Sequence, residues 1–295
     1  MVLDEGYLNP KYTFNLEKAI EITEKIMPYS TLETPEENFY AFMHALEYSD
    51  AEKANLLVLS TILTPMTSAT ALYRQFDDIL PHPDLLNSSA NYKKLVEPIV
   101  GVLPRQKERY NDLVDIIFDK ENGLNGDIRN IFDVKRNDNV HALMELPGIR
   151  MKLASLMVQN IFHYNLFTEE YASLVDHFED LRLPVDIHTV QTSIRTGIIT
   201  STDDIVHTDM ASQVLREGFE KVIDVLHKKD EYAALSRTEL SVKMHLAYFN
   251  LGSNFCTSRS CWTSENQCHV LEACKHDYDF SDKRYNIRPD VQKKL

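Results

Sequence analysis

A lysine and an aspartate, each at the predicted start of a helix, are the side chains of this chain best suited to covalent chemistry. Lys152 follows the turn 146–150 and lies in the first turn of an amphipathic helix, and Asp186 begins another helix 34 positions later. The positive end of a helix dipole and partial burial both disfavour the ammonium form of a lysine. Backbone N–H groups at a helix start keep an aspartate ionised. A neutral amine near a carboxylate is therefore expected.

Such a pair suits bond cleavage through a covalent intermediate. A carboxylate such as that of Asp186 stabilises positive charge in a transition state. A neutral amine such as that of Lys152 attacks an electrophilic carbon and can form a Schiff base. Simpler roles exist for both residues. Lys152 could be a solvated lysine or a phosphate contact, and Asp186 could serve only as a helix N-cap.

The elements around Lys152 predict two helices joined by a tight turn. Apolar residues at 140, 143, 144 and 146 have helical spacing, a Pro-Gly turn follows, and apolar residues resume at 153, 156, 157 and 161. This pattern is typical of a helix-hairpin-helix. The hairpin and the start of its second helix offer free backbone N–H groups, which form a seat for a phosphate.

The motif Leu-Pro-Gly-x-x-x-Lys ending at Lys152, followed by Val-Asp-x-His at 185–188, resembles the helix-hairpin-helix DNA glycosylases, in particular the endonuclease III branch. The resemblance extends more thinly from about residue 55 to 274. It implies an all-α fold with two helical domains and a DNA cleft between them. It further implies that the substrate is double-stranded DNA containing a damaged base or an abasic site, and that Lys152 and Asp186 are catalytic. In the implied reaction the Asp186 carboxylate stabilises positive charge on the sugar as the N-glycosidic bond breaks. The Lys152 amine attacks C1′, displaces the base and forms a Schiff base, which permits β-elimination of the 3′ phosphate. Oxidised pyrimidines are the substrate class expected from this branch.

The same resemblance supplies the expected DNA contacts. An apolar wedge in the turn between two helices falls on Leu103, and such a side chain lowers the cost of unstacking a nucleotide; Leu103 could alternatively pack in the core. The corner that enters DNA at the lesion falls on Ile62, where relatives often have glutamine. Arg150 stands where relatives usually have a second glycine. The expected set is Gly148, Ile149, Arg150, Leu103, Ile62 and His188.

Four cysteines, Cys256, Cys261, Cys268 and Cys274, lie within 19 residues. In an intracellular protein such clustering favours metal over disulfides. Four thiolates suit a [4Fe–4S] cluster or tetrahedral zinc. The resemblance implies a C-terminal [4Fe–4S] loop, whose closing Cys-x5-Cys this chain matches. Zinc is the alternative, and disulfides or free thiols are a third possibility.

The domain organisation is expected to follow these motifs. We expect an N-terminal helical segment at 1–53 and a central helical barrel at 54–165 that includes the hairpin. An acidic insertion at 166–184 is expected next, then the aspartate helix and cluster domain at 185–282, and a polar tail at 283–295. Predicted helices include 14–27, a helix capped by Thr34, a buried helix at 54–63, and helices at 92–100, 105–118, 210–226 and 240–249.

The net charge of −14 argues against nucleic-acid binding only if it is evenly spread. Residues 1–60 carry −7 and residues 161–186 carry −5, whereas residues 101–160 are neutral. The first residues lack the pattern of a signal peptide, and no apolar run spans a membrane. We expect an intracellular monomer. The rival interpretations are a monofunctional glycosylase, a non-catalytic DNA-structure-binding protein and a helical protein-interaction module.

Overall fold

The protein is mostly helical, as the sequence predicts. A computed structural model describes residues 11–32, 34–63, 69–80, 86–132, 139–166, 183–202, 205–252, 270 and 286–288. The chain divides into two compact units. Residues 33–181 form one, the continuous unit, and residues 1–32 with 182–295 form the other, the discontinuous unit. The domain boundaries expected from the sequence stay a prediction.

The continuous unit contains seven helices in its described residues. They are α2 (Pro35–Ala45), α3 (Asp50–Leu63), α4 (Ala69–Ile79), α5 (Ser89–Val96), α6 (Pro104–Phe118), α7 (Asn139–Met144) and α8 (Met151–His163). A 3₁₀ helix, Ile128–Ile131, lies between α6 and α7. The central element is α3, whose residues from Lys53 to Leu63 are all buried. Most of these residues are apolar, as expected for a helix that is buried on most of its faces.

The caps of α2 agree with the sequence prediction. The Thr34 side chain accepts from the Glu37 backbone N–H, and the Glu37 side chain accepts from the Thr34 N–H. Pro35 occupies the first helical position, where its missing N–H is not needed. This reciprocal arrangement satisfies two donors that the helix itself leaves free. The predicted start of α2 is confirmed.

The discontinuous unit joins the two ends of the described chain. Its elements are β1 (Tyr12–Phe14), α1 (Leu16–Ile26), a 3₁₀ helix at Met27–Thr31, α9 (Ile187–Arg195), β2 (Ile199–Ser201), β3 (Ile205–His207), α10 (Thr208–Leu226), α11 (Arg237–Asn250) and β4 (Asn286–Arg288). β1 pairs with β2 in antiparallel register, Thr13 opposite Thr200. β3 pairs with β4 in parallel register. One apolar core includes Ile22, Phe219 and Tyr248.

The start of α1 differs from the prediction for a local reason. A helix from residue 14 was expected, but Phe14 pairs with Ile199 in the small sheet. Asn15 then caps α1 by accepting from the Lys18 backbone N–H. Its own N–H donates to the carbonyl of Ile198. A strand partner almost two hundred residues away in sequence therefore sets where the helix begins.

Candidate functional site

The turn between α7 and α8 has the geometry that its Pro-Gly sequence predicts. The Ile149 N–H donates to the carbonyl of Leu146 at 3.2 Å, closing a four-residue turn. Pro147 and Gly148 are the central residues, and Gly148 has φ +76°. Proline first and a positive-φ glycine second are the residues that a type II turn requires. Leu146 and Ile149 are buried beneath the turn, whereas Pro147 and Gly148 are exposed.

The start of α8 leaves its backbone donors without a side-chain cap. Arg150 is the N-cap residue and makes no capping hydrogen bond. The side chains of Arg150 and Lys152 are both exposed. Because the first N–H groups of a helix have no partner within it, the turn presents free donors and two cations together. The burial expected for Lys152 is not found, so only a bound partner would desolvate its amine. Ile149 contributes no exposed side chain, and its N–H is used in the turn.

A third cation lies against the hairpin and was not identified from the sequence. Arg109, on α6, packs its side chain across Gly148: a Cβ added there would lie 2.9 Å from both Cδ and Nε of Arg109. Gly148 is therefore needed for two reasons, the positive φ and the close approach of Arg109. This contact joins α6 to the hairpin. Arg109 is half-buried.

We expect Gly148→Ala to lower the free energy of unfolding by more than Gly123→Ala. Gly123 has a similar φ of +81° but open space around its Cβ position, so it reports backbone strain alone, about 1 kcal/mol. Gly148→Ala adds a clash with the outer atoms of the half-buried Arg109 side chain, which must leave its rotamer at a cost of about 0.5–1.5 kcal/mol more. Urea denaturation measures both. Combining Gly148→Ala with Arg109→Ala should recover the added loss, and equal losses in the two single variants would contradict the packing.

The expected wedge and the expected lesion corner lie in different environments. Leu103, the N-cap residue of α6, is 47% exposed. Ile62, near the end of α3, is only 4% exposed and packs in the core, so its side chain has no surface to offer a base. Gln106 accepts from the Leu103 N–H at 3.0 Å and donates to the carbonyl of Leu63, the neighbour of Ile62, at 3.5 Å.

Asp186 is the N-cap of α9. One oxygen, Oδ1, accepts from the backbone N–H of Thr189 at 2.8 Å and from its hydroxyl at 2.9 Å. The other oxygen has no hydrogen bond among the described residues. The residue is 8% exposed. The N-cap role is therefore present, and it leaves one carboxylate oxygen for a second task.

His188 packs at the start of α9. Its ring makes an edge contact with Phe249, with centroids 5.8 Å apart. A Cβ on Gly252 would lie 2.4 Å from the Cβ of His188, so this glycine permits the close packing. Among the residues that the structure describes, its buried Nδ1 atom has no hydrogen-bond partner. His188 is half-buried, and this packing fixes the orientation of the helix that carries Asp186.

Lys152 belongs to the continuous unit and Asp186 to the discontinuous unit. The continuous unit brings Arg109 to the hairpin that contains Gly148, Arg150 and Lys152. The discontinuous unit carries Asp186 and His188 at the start of one helix, α9. Cys256, Cys261, Cys268 and Cys274, and most of the expected acidic insertion, lie outside the described residues. Within the described ranges, no three His, Cys, Asp or Glu side chains form a metal-binding group.

None of the described helices combines the length and the apolar character needed to cross a membrane. No known protein family, curated protein or solved structure gives a match to this chain.

Proposed function

We propose that the protein is a bifunctional DNA glycosylase and abasic-site lyase of the helix-hairpin-helix class, similar to the endonuclease III branch. The observation that carries the proposal is the uncapped start of α8, which presents Lys152 and free backbone N–H groups beside a Pro-Gly turn. The fold of the class, two helical domains with a DNA cleft between them, belongs to the proposal. Its partner is double-stranded DNA with a damaged base or an abasic site.

The hairpin would hold one phosphate of the DNA backbone. Backbone N–H groups at the start of α8 donate to the phosphate oxygens, and the helix dipole adds to the attraction. Arg150, two residues after Gly148, and Arg109, which packs against Gly148, supply positive charge. Because these contacts involve only the DNA backbone, they position the protein without reading sequence.

Lys152 would act as the nucleophile. Its amine nitrogen bonds to C1′ of the sugar as the bond from C1′ to the base breaks, and the base leaves with the electron pair and takes up a proton. Opening of the sugar gives a Schiff base between Lys152 and C1′. Loss of a C2′ proton then expels the 3′ phosphate. Since Lys152 is exposed in the free protein, the bound DNA must exclude water from the amine before it loses its proton.

Asp186 would stabilise the positive charge that develops on the sugar. Its Oδ1 is held by Thr189, and the oxygen without a hydrogen bond is available to the sugar. Oxidised pyrimidines are the proposed substrate, by resemblance to the branch alone. Thymine or uracil in mismatches and modified cytosine are alternatives that substrate screening would separate.

The exposure of Lys152 also favours a second candidate function. An exposed ammonium group beside free N–H donors suits simple phosphate binding, as in a monofunctional glycosylase or a non-catalytic protein that binds DNA structures. In either case no covalent bond to DNA would form. The two candidates therefore differ in a chemical product that can be isolated.

Borohydride trapping tests the proposal. The protein is incubated with a duplex carrying one abasic site, the Schiff base is reduced, and the adduct is digested and mapped by mass spectrometry. The expected result is a covalent adduct on Lys152. An adduct on another amine would overturn the assignment of Lys152 as the nucleophile. No adduct, despite measurable DNA binding, would overturn the lyase proposal and leave glycosylase-only or binding activity to be tested.

The four cysteines are proposed to hold a [4Fe–4S] cluster, which would fix the C-terminal loop. The donor set fits this group because four thiolates lie within a short stretch of chain. We expect protein purified without oxygen to contain iron and acid-labile sulfide in equal amounts. Cys268→Ser should lower both together, whereas Ser236→Ala, which removes a helix cap, should lower neither. Bound zinc without sulfide would replace the cluster with the zinc alternative.

A further inference from the structure

The loop between α5 and α6, residues 97–103, exposes two large apolar side chains, and we name it the tip loop. Val100 is 71% exposed and Leu103 is 47% exposed. In the part of the chain that the structure describes, the only other exposed large hydrophobic side chains are those of Leu32 and Met210. Ile99, between them and α5, is buried and anchors the loop. Two exposed large apolar side chains only three positions apart in sequence are unusual for a surface loop.

A glutamine from another helix fixes the backbone of the tip loop. Gln75, on α4, accepts from the Val100 N–H through Oε1 at 2.8 Å and donates from Nε2 to the Val100 carbonyl at 3.3 Å. A side-chain amide that bonds both backbone groups of one residue replaces the pairing that a strand would give. The helix predicted over 92–100 ends at Val96, and Gln75 satisfies the backbone at Val100 instead.

Two further side chains hold the rest of the loop. Gln106 accepts from the Leu103 N–H, and Lys107 donates from Nζ to the carbonyl of Glu97 at 3.0 Å. Backbone groups near both ends and the middle of the tip loop are thus bonded by side chains from α4 and α6. These bonds hold the backbone of the loop, and the side chains of Val100 and Leu103 are exposed to solvent. Such preorganisation lowers the entropy that is lost on binding.

The charges beside the tip loop indicate an anionic partner. The first turn of α6 contains no acidic residue, although acids are favoured at a helix start. It carries Arg105 and Lys107 instead, and Arg109 follows one turn later. Arg109 lies six residues after Leu103, about 9 Å along the helix axis, and contacts Gly148 of the hairpin. The tip loop and the proposed phosphate seat therefore lie at two points along the N-terminal part of α6, where Arg105, Lys107 and Arg109 outnumber Glu108.

We propose that Gln75 is a positioning residue that presents Val100 and Leu103 together to the base stack of double-stranded DNA. The proposal rests on the proposed function, since it assumes that this unit binds DNA at the hairpin. Apolar side chains inserted between base steps unstack them, and the step opens most easily where a base is damaged or missing. Gln75 acts through the backbone of Val100 and touches no reacting atom.

The test compares trapping on duplex and single-stranded DNA that each carry an abasic site, with wild type, Gln75→Met and Gln213→Met. Methionine keeps the length of the side chain and removes both hydrogen bonds. Gln213, an exposed glutamine on α10, is the matched control. A single strand offers no stacked pair to open, so the wedge matters only on the duplex. For Gln75→Met, the expected ratio of duplex to single-strand adduct falls at least about tenfold, and for Gln213→Met it is unchanged.

An unchanged ratio for Gln75→Met, or equal losses on both substrates, would overturn the positioning role. A second readout separates this proposal from the proposed function. 2-Aminopurine placed beside the abasic site brightens when it is unstacked, whether or not a covalent adduct forms. If wild type gives no adduct but brightens the probe, and Gln75→Met or Val100→Ser removes the brightening, the wedge stands and the lyase fails. No brightening by wild type would overturn the wedge.

Discussion

Lys152→Arg is expected to abolish the borohydride adduct while leaving the affinity for an abasic-site duplex within about threefold of wild type. Arginine keeps the positive charge that a phosphate contact needs but stays protonated and cannot form the Schiff base. Lys152→Ala should lose the adduct as well and should bind DNA more weakly, because it loses one phosphate contact. Trapping yields and binding titrations at one salt concentration measure the two effects separately.

Lys94→Ala is the matched control for Lys152. Lys94 is an exposed lysine on α5, in the same unit as Lys152. Its replacement should change neither the adduct nor the affinity beyond a small electrostatic effect. If Lys152→Arg kept full base excision, Lys152 would not be the group that displaces the base. If wild type also formed no adduct, the lysine would serve phosphate binding and the monofunctional alternative would be correct.

Asp186→Asn is expected to lower the rate of base excision by about 100-fold or more while changing the stability little. Asparagine caps a helix about as well as aspartate, so the bond from the Thr189 N–H persists and only the charge at the helix start is lost, about 0.5 kcal/mol. The transition state loses an ionised group, and removal of one electrostatic stabiliser costs about two to three orders of magnitude in rate. Single-turnover rates and urea denaturation on the same samples make the comparison.

Ser236→Ala is the control for the capping role. Ser236 caps α11 in the same unit by accepting from the Glu239 N–H. Its loss should cost about 1 kcal/mol of stability, more than Asp186→Asn, with the rate of base excision unchanged. If the rate instead followed stability across the two variants, Asp186 would be structural only.

The local features of this chain were predictable from its sequence because short-range chemistry determines them. The turn at Pro147-Gly148 and the start of α2 at Thr34 depend on residues within one helical turn, and both have the predicted form. The buried helix around Leu56 follows from a strongly apolar stretch, residues 54–63. Each of these needs no knowledge of distant residues.

The features that sequence reasoning missed all depend on residues far apart in the chain. Arg109 contacts Gly148, Gln75 bonds Val100, and Phe14 pairs with Ile199. No periodicity reports such pairs. A weak signal existed in the first turn of α6, where cations replace the acids that a helix start favours. Ile62 was assigned to the lesion corner from the resemblance to DNA glycosylases alone, and its burial follows from the packing of α3, which the resemblance did not consider.

The division of the chain into two units also has a consequence for how the protein is made. The continuous unit holds all of its helices in one stretch, so it can fold as it leaves the ribosome. β1 cannot, because its partner β2 is encoded 185 positions later, Phe14 opposite Ile199. At about 5–20 residues per second, translation separates the two strands by roughly 10 to 40 seconds. The apolar face of α1 stays uncovered in the nascent chain for that time.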